Sequence, residues 1–254
     1  MKNLQNYITS ELNYPNINKG VTRFYSFLKS VIFKSNIVMI GGVSGIGKST
    51  LIRNIAETIS ESEYEPVIFF NCDNDIDTNY YYIYKIIIYK NATNAINNIY
   101  LNEKHPISSL IELKTKISEQ IQNLDYNVNT VVIDDVDLIL RQCNQTQILK
   151  FYKFINGFTK KGIRFILTQT LDDELLTRKG NRMPEVNDLN FYHFNEKYID
   201  TVILLNRLSY YGFAMDTEGL DTNLLLDISV NINSDKYNFS DTLQLRMDNM
   251  YTYN

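Results

Sequence analysis

Residues 42–49 read Gly-Val-Ser-Gly-Ile-Gly-Lys-Ser, a glycine-rich stretch closed by a lysine and a hydroxyl. Gly42, Gly45 and Gly47 let the backbone curl until successive N–H groups point at one anion, and Val43, Ser44 and Ile46 add main-chain donors to the same cradle. Lys48 is spaced to reach the terminal phosphates of a nucleotide, and Ser49 to give an oxygen to the Mg²⁺ that bridges them. The chemistry implied is the binding and transfer of nucleoside triphosphate phosphates, with ATP and Mg²⁺ the expected pair. An apolar run at 36–40 precedes the loop and a helix-compatible stretch at 48–59 follows it. That junction puts the positive end of a helix under the phosphates.

A second constellation is Val131-Val132-Ile133-Asp134-Asp135, an apolar strand delivering two carboxylates at its C-terminal end. Open α/β sheets bind their ligands at that end. Asp134 is expected to hold Mg²⁺ through water, and Asp135 to orient that water or the nucleophile. Alone, such a pair reads equally well as a cap for the next element. The upstream phosphate loop decides for the metal role.

The elements that must position these residues alternate. Strands are expected at 36–40, 66–70, 130–133 and 163–167, with helices at 48–59, 77–90, 107–122 and 145–157 between or after them. Such alternation predicts an α/β fold with a mainly parallel sheet and helices on both faces. Residues 171–189 are polar, hold Gly180 and Pro184, and are expected to form an exposed, mobile loop. Further strands are expected at 201–205, 224–230 and 242–246.

Composition bounds the rest. Of 254 residues, 44% are hydrophobic and 21% charged, enough for a folded core. We read residues 1–16 as a short leading helix and 17–254 as one domain. A net charge of −4 argues against coating nucleic acid by bulk attraction and leaves room for a local basic loop. Cys72 and Cys143 form no metal or disulfide pattern, and His105 and His193 lack partners at ligand spacing. No apolar run follows Lys2 and no stretch is long enough to span a bilayer, so neither a secretory signal nor a membrane partner is expected. The Tyr80–Tyr84 run is expected to pack in a helix rather than to stack bases.

The order of motifs resembles the RecA-like P-loop ATPases, and within them the C-terminal ATPase domain of the DnaB-type replicative DNA helicases. Val67-Ile68-Phe69-Phe70-Asn71-Cys72-Asp73 stands where that family has a strand ending in a catalytic glutamate, which makes Asp73 the candidate base. Thr168-Gln169-Thr170 is similar to its sensor, with Gln169 the matching residue. Residues 183–189 resemble its proline-containing stretch, and 198–207 its strand ending in Tyr-Arg, here Asn206-Arg207. The resemblance covers residues 20–230. It implies an ATP-hydrolysing helicase or translocase on single-stranded DNA, working as a homo-oligomer such as a hexamer, or with a partner ATPase subunit, in the cytoplasm or wherever the host cell replicates DNA. The loop after the fourth strand would grip the DNA through Arg178, Lys179 and Arg182, against which Asp172, Asp173 and Glu174 stand in the same loop.

Departures from the family matter. Asp73 is one methylene shorter than glutamate, which would place an attacking water less well. Where the family carries an arginine finger, this sequence has Ser229-Val230-Asn231-Ile232-Asn233. Loss of such a finger costs ~10³-fold or more in turnover. Residues 1–16 stand in place of the family's primase-facing domain. A hydrolysis-poor regulatory subunit is therefore the second reading, and a small-molecule kinase, using 171–189 as a lid, the third.

Overall fold

The computed structural model of the chain describes residues 31–72, 98–101, 107–124, 127–179, 183–190, 195–216, 219, 221–234 and 237–246. The helices expected at 1–16 and 77–90, the Tyr80–Tyr84 run, His105, His193, Asp73 and Arg182 lie outside them.

Among the described residues, eight strands form one sheet in the order β3-β2-β4-β5-β1-β6-β7-β8. β1 (Ile37–Gly42), β2 (Val67–Asn71), β4 (Thr130–Asp134) and β6 (Thr201–Asn206) are buried along their whole length. Continuous apolar runs of this kind belong to strands covered on both faces, as crossover helices require. β5 (Arg164–Thr170) lies between β1 and β4 and pairs parallel with each. β1 pairs on its other side with β6, also parallel. β7 (Leu225–Ser234) and β8 (Tyr237–Arg246) add an antiparallel pair, so the mainly parallel sheet is as expected. β3 (Ile99–Leu101) is an addition: three half-buried residues on the β2 edge, too short for a periodicity signal.

Helices pack on both faces. α1 (Lys48–Ser62) follows the phosphate loop. α2 (Leu110–Asn123) starts at Ser109, whose hydroxyl accepts from the Glu112 N–H. Its buried stripe of Leu110, Leu113, Ile117 and Ile121 follows the helical period. The four-residue α3 (Asp137–Leu140) leaves the end of β4. α4 (Gln145–Thr159) opens with a capping box between Asn144 and Gln147, and its Phe158 ring lies 6.4 Å from that of Phe165 on β5.

The segment after β5 departs from expectation. It contains the short helix α5 (Glu174–Thr177) and buries Leu171, Leu175 and Leu189. Individual leucines seat on the sheet without a period, so a pattern search finds no element there. Gly41 receives Leu189: a Cβ at that position would stand 2.7 Å from Leu189 Cδ2, with Leu171 Cδ2 beside it at 3.6 Å. The Leu171 N–H also donates to the Gly42 carbonyl at 3.0 Å.

Candidate nucleotide site

The loop from Val43 to Gly47 connects β1 to α1, with Gly45 and Gly47 at φ of 72° and 116°, angles that side chains disfavour. Gly47 caps α1 without a side-chain hydrogen bond. A helix start left open in this way suits an anion. Lys48 is buried and folds over the loop, its Nζ donating to the Gly42 carbonyl at 3.0 Å and the Val43 carbonyl at 3.1 Å. Burial lowers its pKa, and the negative charges of Asp135 and Asp134 oppose that shift.

Asp134 ends β4 and is buried. Its Oδ1 accepts from the Thr168 hydroxyl at 2.6 Å, while Oδ2 is buried with no hydrogen-bond partner. Burial, then the charge of Asp135, push its carboxyl up to about 6, and the Thr168 hydrogen bond, the charge of Arg53 and the nearby Ser49 hydroxyl pull the other way. Ser49 and Asp134 therefore face one another. An unpartnered buried carboxylate oxygen beside a hydroxyl fits a hydrated Mg²⁺. Among the described residues no group of three or more His, Cys, Asp or Glu could hold a metal. Ser49 and Asp134 offer a cation oxygen ligands on one side, and Mg²⁺ held in this way would fill the rest of its shell with phosphate oxygens and water.

Asp135 adopts φ of 53°, turning the chain out of the strand. Its N–H donates to the Thr168 hydroxyl at 2.7 Å, and its Oδ1 accepts from the Thr170 hydroxyl at 3.1 Å. The structure thus joins Lys48, Ser49, Asp134 and Asp135, with Thr168 and Thr170, the neighbours of the sensor-like Gln169, as links to which the sequence assigned no role. Two further residues, Asp137 and Arg141, bind the backbone of Thr170. The third acid of Asp-Asp-Val-Asp was a visible signal, whereas nothing near Arg141 in the chain points to Thr170.

Gln169 is placed differently. It pairs in register with Gly41, and strand alternation puts it on the face of Phe165 and α4, opposite Thr168. It is buried there, with Nε2 lacking a partner. Of the DNA-binding candidates, Arg178 is engaged within its own segment, donating to Asp188 at 2.7 Å and to the Met183 carbonyl at 2.9 Å. Lys179 is exposed. Tyr210, just after β6, brings its hydroxyl to within 2.8 Å of where a Cβ on Gly45 would stand.

No family model matches the sequence, and no curated protein matches it. Solved structures do match. One, an ATPase domain, is similar over 94% of this chain and 98% of its own, with a TM-score of 0.64 at 15% identity. The fold is that of the RecA-like P-loop ATPases. A DnaB-like replicative helicase, solved to show its interactions with primase, shares this RecA-like fold with a TM-score of 0.61 at 14% identity. That match covers 89% of this chain and 63% of the helicase, so the present chain spans less than two thirds of it. Likeness at such identities establishes the RecA-like architecture; activity has to be argued from the site.

Proposed function

We propose that this chain binds ATP with Mg²⁺ and hydrolyses it as a RecA-like motor of the DnaB-helicase type acting on single-stranded DNA. The observation that carries the reading is the meeting of Lys48 and Ser49 with Asp134 and Asp135 at the C-terminal ends of β1 and β4. The curled loop and the open start of α1 would hold the phosphates, and Lys48 would exchange its two loop carbonyls for phosphate oxygens. Ser49 and Asp134 would hold the Mg²⁺, which offsets charge developing on the phosphates during transfer. Asp135, held by Thr170, would orient the attacking water. Asp73 would be the base and Gln169 the sensor, as the resemblance implies.

Lys179, with Arg182, is the part of the 171–189 segment proposed to meet DNA phosphates; Arg178 would first have to leave Asp188. A motor of this kind is expected to assemble with copies of itself or with a partner ATPase. No helix among the described residues is long and apolar enough to cross a membrane.

One observation favours a second reading, a regulatory subunit that binds ATP and hydrolyses it poorly. β7, the counterpart of the strand that carries the family's finger, reads Leu-Leu-Asp-Ile-Ser-Val-Asn-Ile-Asn-Ser, without a basic residue. Hydrolysis measured with and without single-stranded DNA, using Lys48→Ala as the blank, separates the two. The motor is expected to show DNA-stimulated turnover that the variant abolishes. Binding of ATP with turnover at the blank's level under both conditions would leave the regulatory reading.

A further inference from the structure

Thr170 is the last residue of β5 and the first step into the 171–189 segment, and both its peptide groups are held by one pair of side chains. Asp137 Oδ1 accepts from the Thr170 N–H at 3.2 Å. Arg141 Nη2 donates to the Thr170 carbonyl at 3.2 Å and to Asp172 Oδ1 at 3.1 Å. The bracket closes on itself, because Arg141 Nε lies 3.3 Å from Asp137 Oδ2. Asp137 is 2% exposed along its side chain and Arg141 45%. The acid is thus fixed in the interior, while the arginine spans from it to the surface.

What the bracket holds is the point where two regions meet. The Thr170 hydroxyl donates to Asp135, and the next residue, Leu171, donates its N–H to Gly42 at the start of the phosphate loop. On the other side, Asp172 begins the segment whose Leu189 seats on Gly41. A surface ion pair alone contributes little to stability. Arg141 differs in reaching Thr170, Asp172 and Asp137 at once, and Asp137 is itself bonded to the Thr170 N–H, a closed geometry that fixes direction more than it adds energy.

We propose that Asp137 and Arg141 are positioning residues of the nucleotide site: they hold Thr170 so that its hydroxyl stays on Asp135, and through Asp172 they pass the state of that carboxylate to the segment after β5. The inference rests on the ATP-binding reading above and adds a physical connection that needs no side chain of Gln169, which lies on the other face of the sheet.

The test uses the full chain as wild type, Arg141→Ala, Arg141→Lys and Lys48→Ala. Affinity for a fluorescent, non-hydrolysed ATP analogue with Mg²⁺ is measured first. The rate of trypsin cleavage after Arg178 and Lys179, read by fragment mass, then reports the segment. In wild type the bound analogue is expected to change that rate by ~5-fold or more, the low end of ordinary coupling between sites. Arg141→Ala is expected to bind the analogue yet show no change in cleavage on binding. Arg141→Lys, which keeps the charge and one of the contacts, is expected to recover part of the response. Wild-type binding with no change in cleavage, or a full response in Arg141→Ala, overturns the proposal. So does a variant that loses affinity and melting temperature together, since the role would then be structural only. Wild-type affinity at the level of Lys48→Ala is a separate result, visible in the binding arm, and overturns the ATP reading itself.

Discussion

Asp134 sits under opposing demands. Burial and the neighbouring charge of Asp135 raise its carboxyl to about 6, against 3.8 for a free aspartate. Between those values the unfolded chain gives up its proton before the folded one does. Folded-state stability therefore falls as pH rises through the window, and above it the ionised carboxylate costs on the order of 3 kcal/mol. Asp134→Asn removes the charge, so without nucleotide or divalent ions it is expected to melt higher than wild type at pH 7.5, with the gain shrinking toward pH 4. Calorimetry at both values checks this, and an equal shift at the two would contradict it. At this scale, spacing made the phosphate-loop residues and the two acids legible, because their chemistry is written within eight consecutive positions and one strand end. Thr168, Thr170 and Arg141 were not legible in the same way, since their partners lie 34, 35 and 31 positions away. Only the sheet brings them together.

The strands β1, β2, β4, β5 and β6 and the helices α1, α2 and α4 were readable because apolar runs and helical stripes are local patterns, and β3 and the four-residue α3 were not because so few residues carry no period. The segment after β5 shows the limit more sharply. Its anchors are single leucines, and the feature that receives one of them is the missing side chain of Gly41. Gly41→Ala would drive a methyl to 2.7 Å from Leu189 Cδ2 and 3.0 Å from Leu204 Cδ2. Overpacking of that order typically costs ~1–3 kcal/mol, and the variant is expected to melt lower and to expose the segment to protease. Gly157, within α4, offers the contrast, because nothing lies within 4 Å of a Cβ there. Gly157→Ala is expected to stabilise by roughly 0.5–1 kcal/mol through helix propensity. A urea midpoint that moves the same way in both variants would refute the packing account of Gly41.

Across the whole molecule the sheet order sets what the chain can do and when. β1 carries the phosphate loop and comes first among the described strands, yet its two neighbours, β5 and β6, are supplied by residues 164–170 and 201–206. During synthesis β2 finds β4 while β1 still waits, an apolar Ile-Val-Met-Ile run with no partner on either edge. Late pairing of distant strands is slow and leaves such a run open to association with other chains. A ribosome-bound chain stalled just after Gly162 has emerged is therefore expected to bind no nucleotide analogue, whereas one stalled after Asp216 has emerged should bind it. The earliest made of the described strands would be among the last to become functional, and its burden on the cell's chaperones would be heaviest in the interval before β5 and β6 arrive.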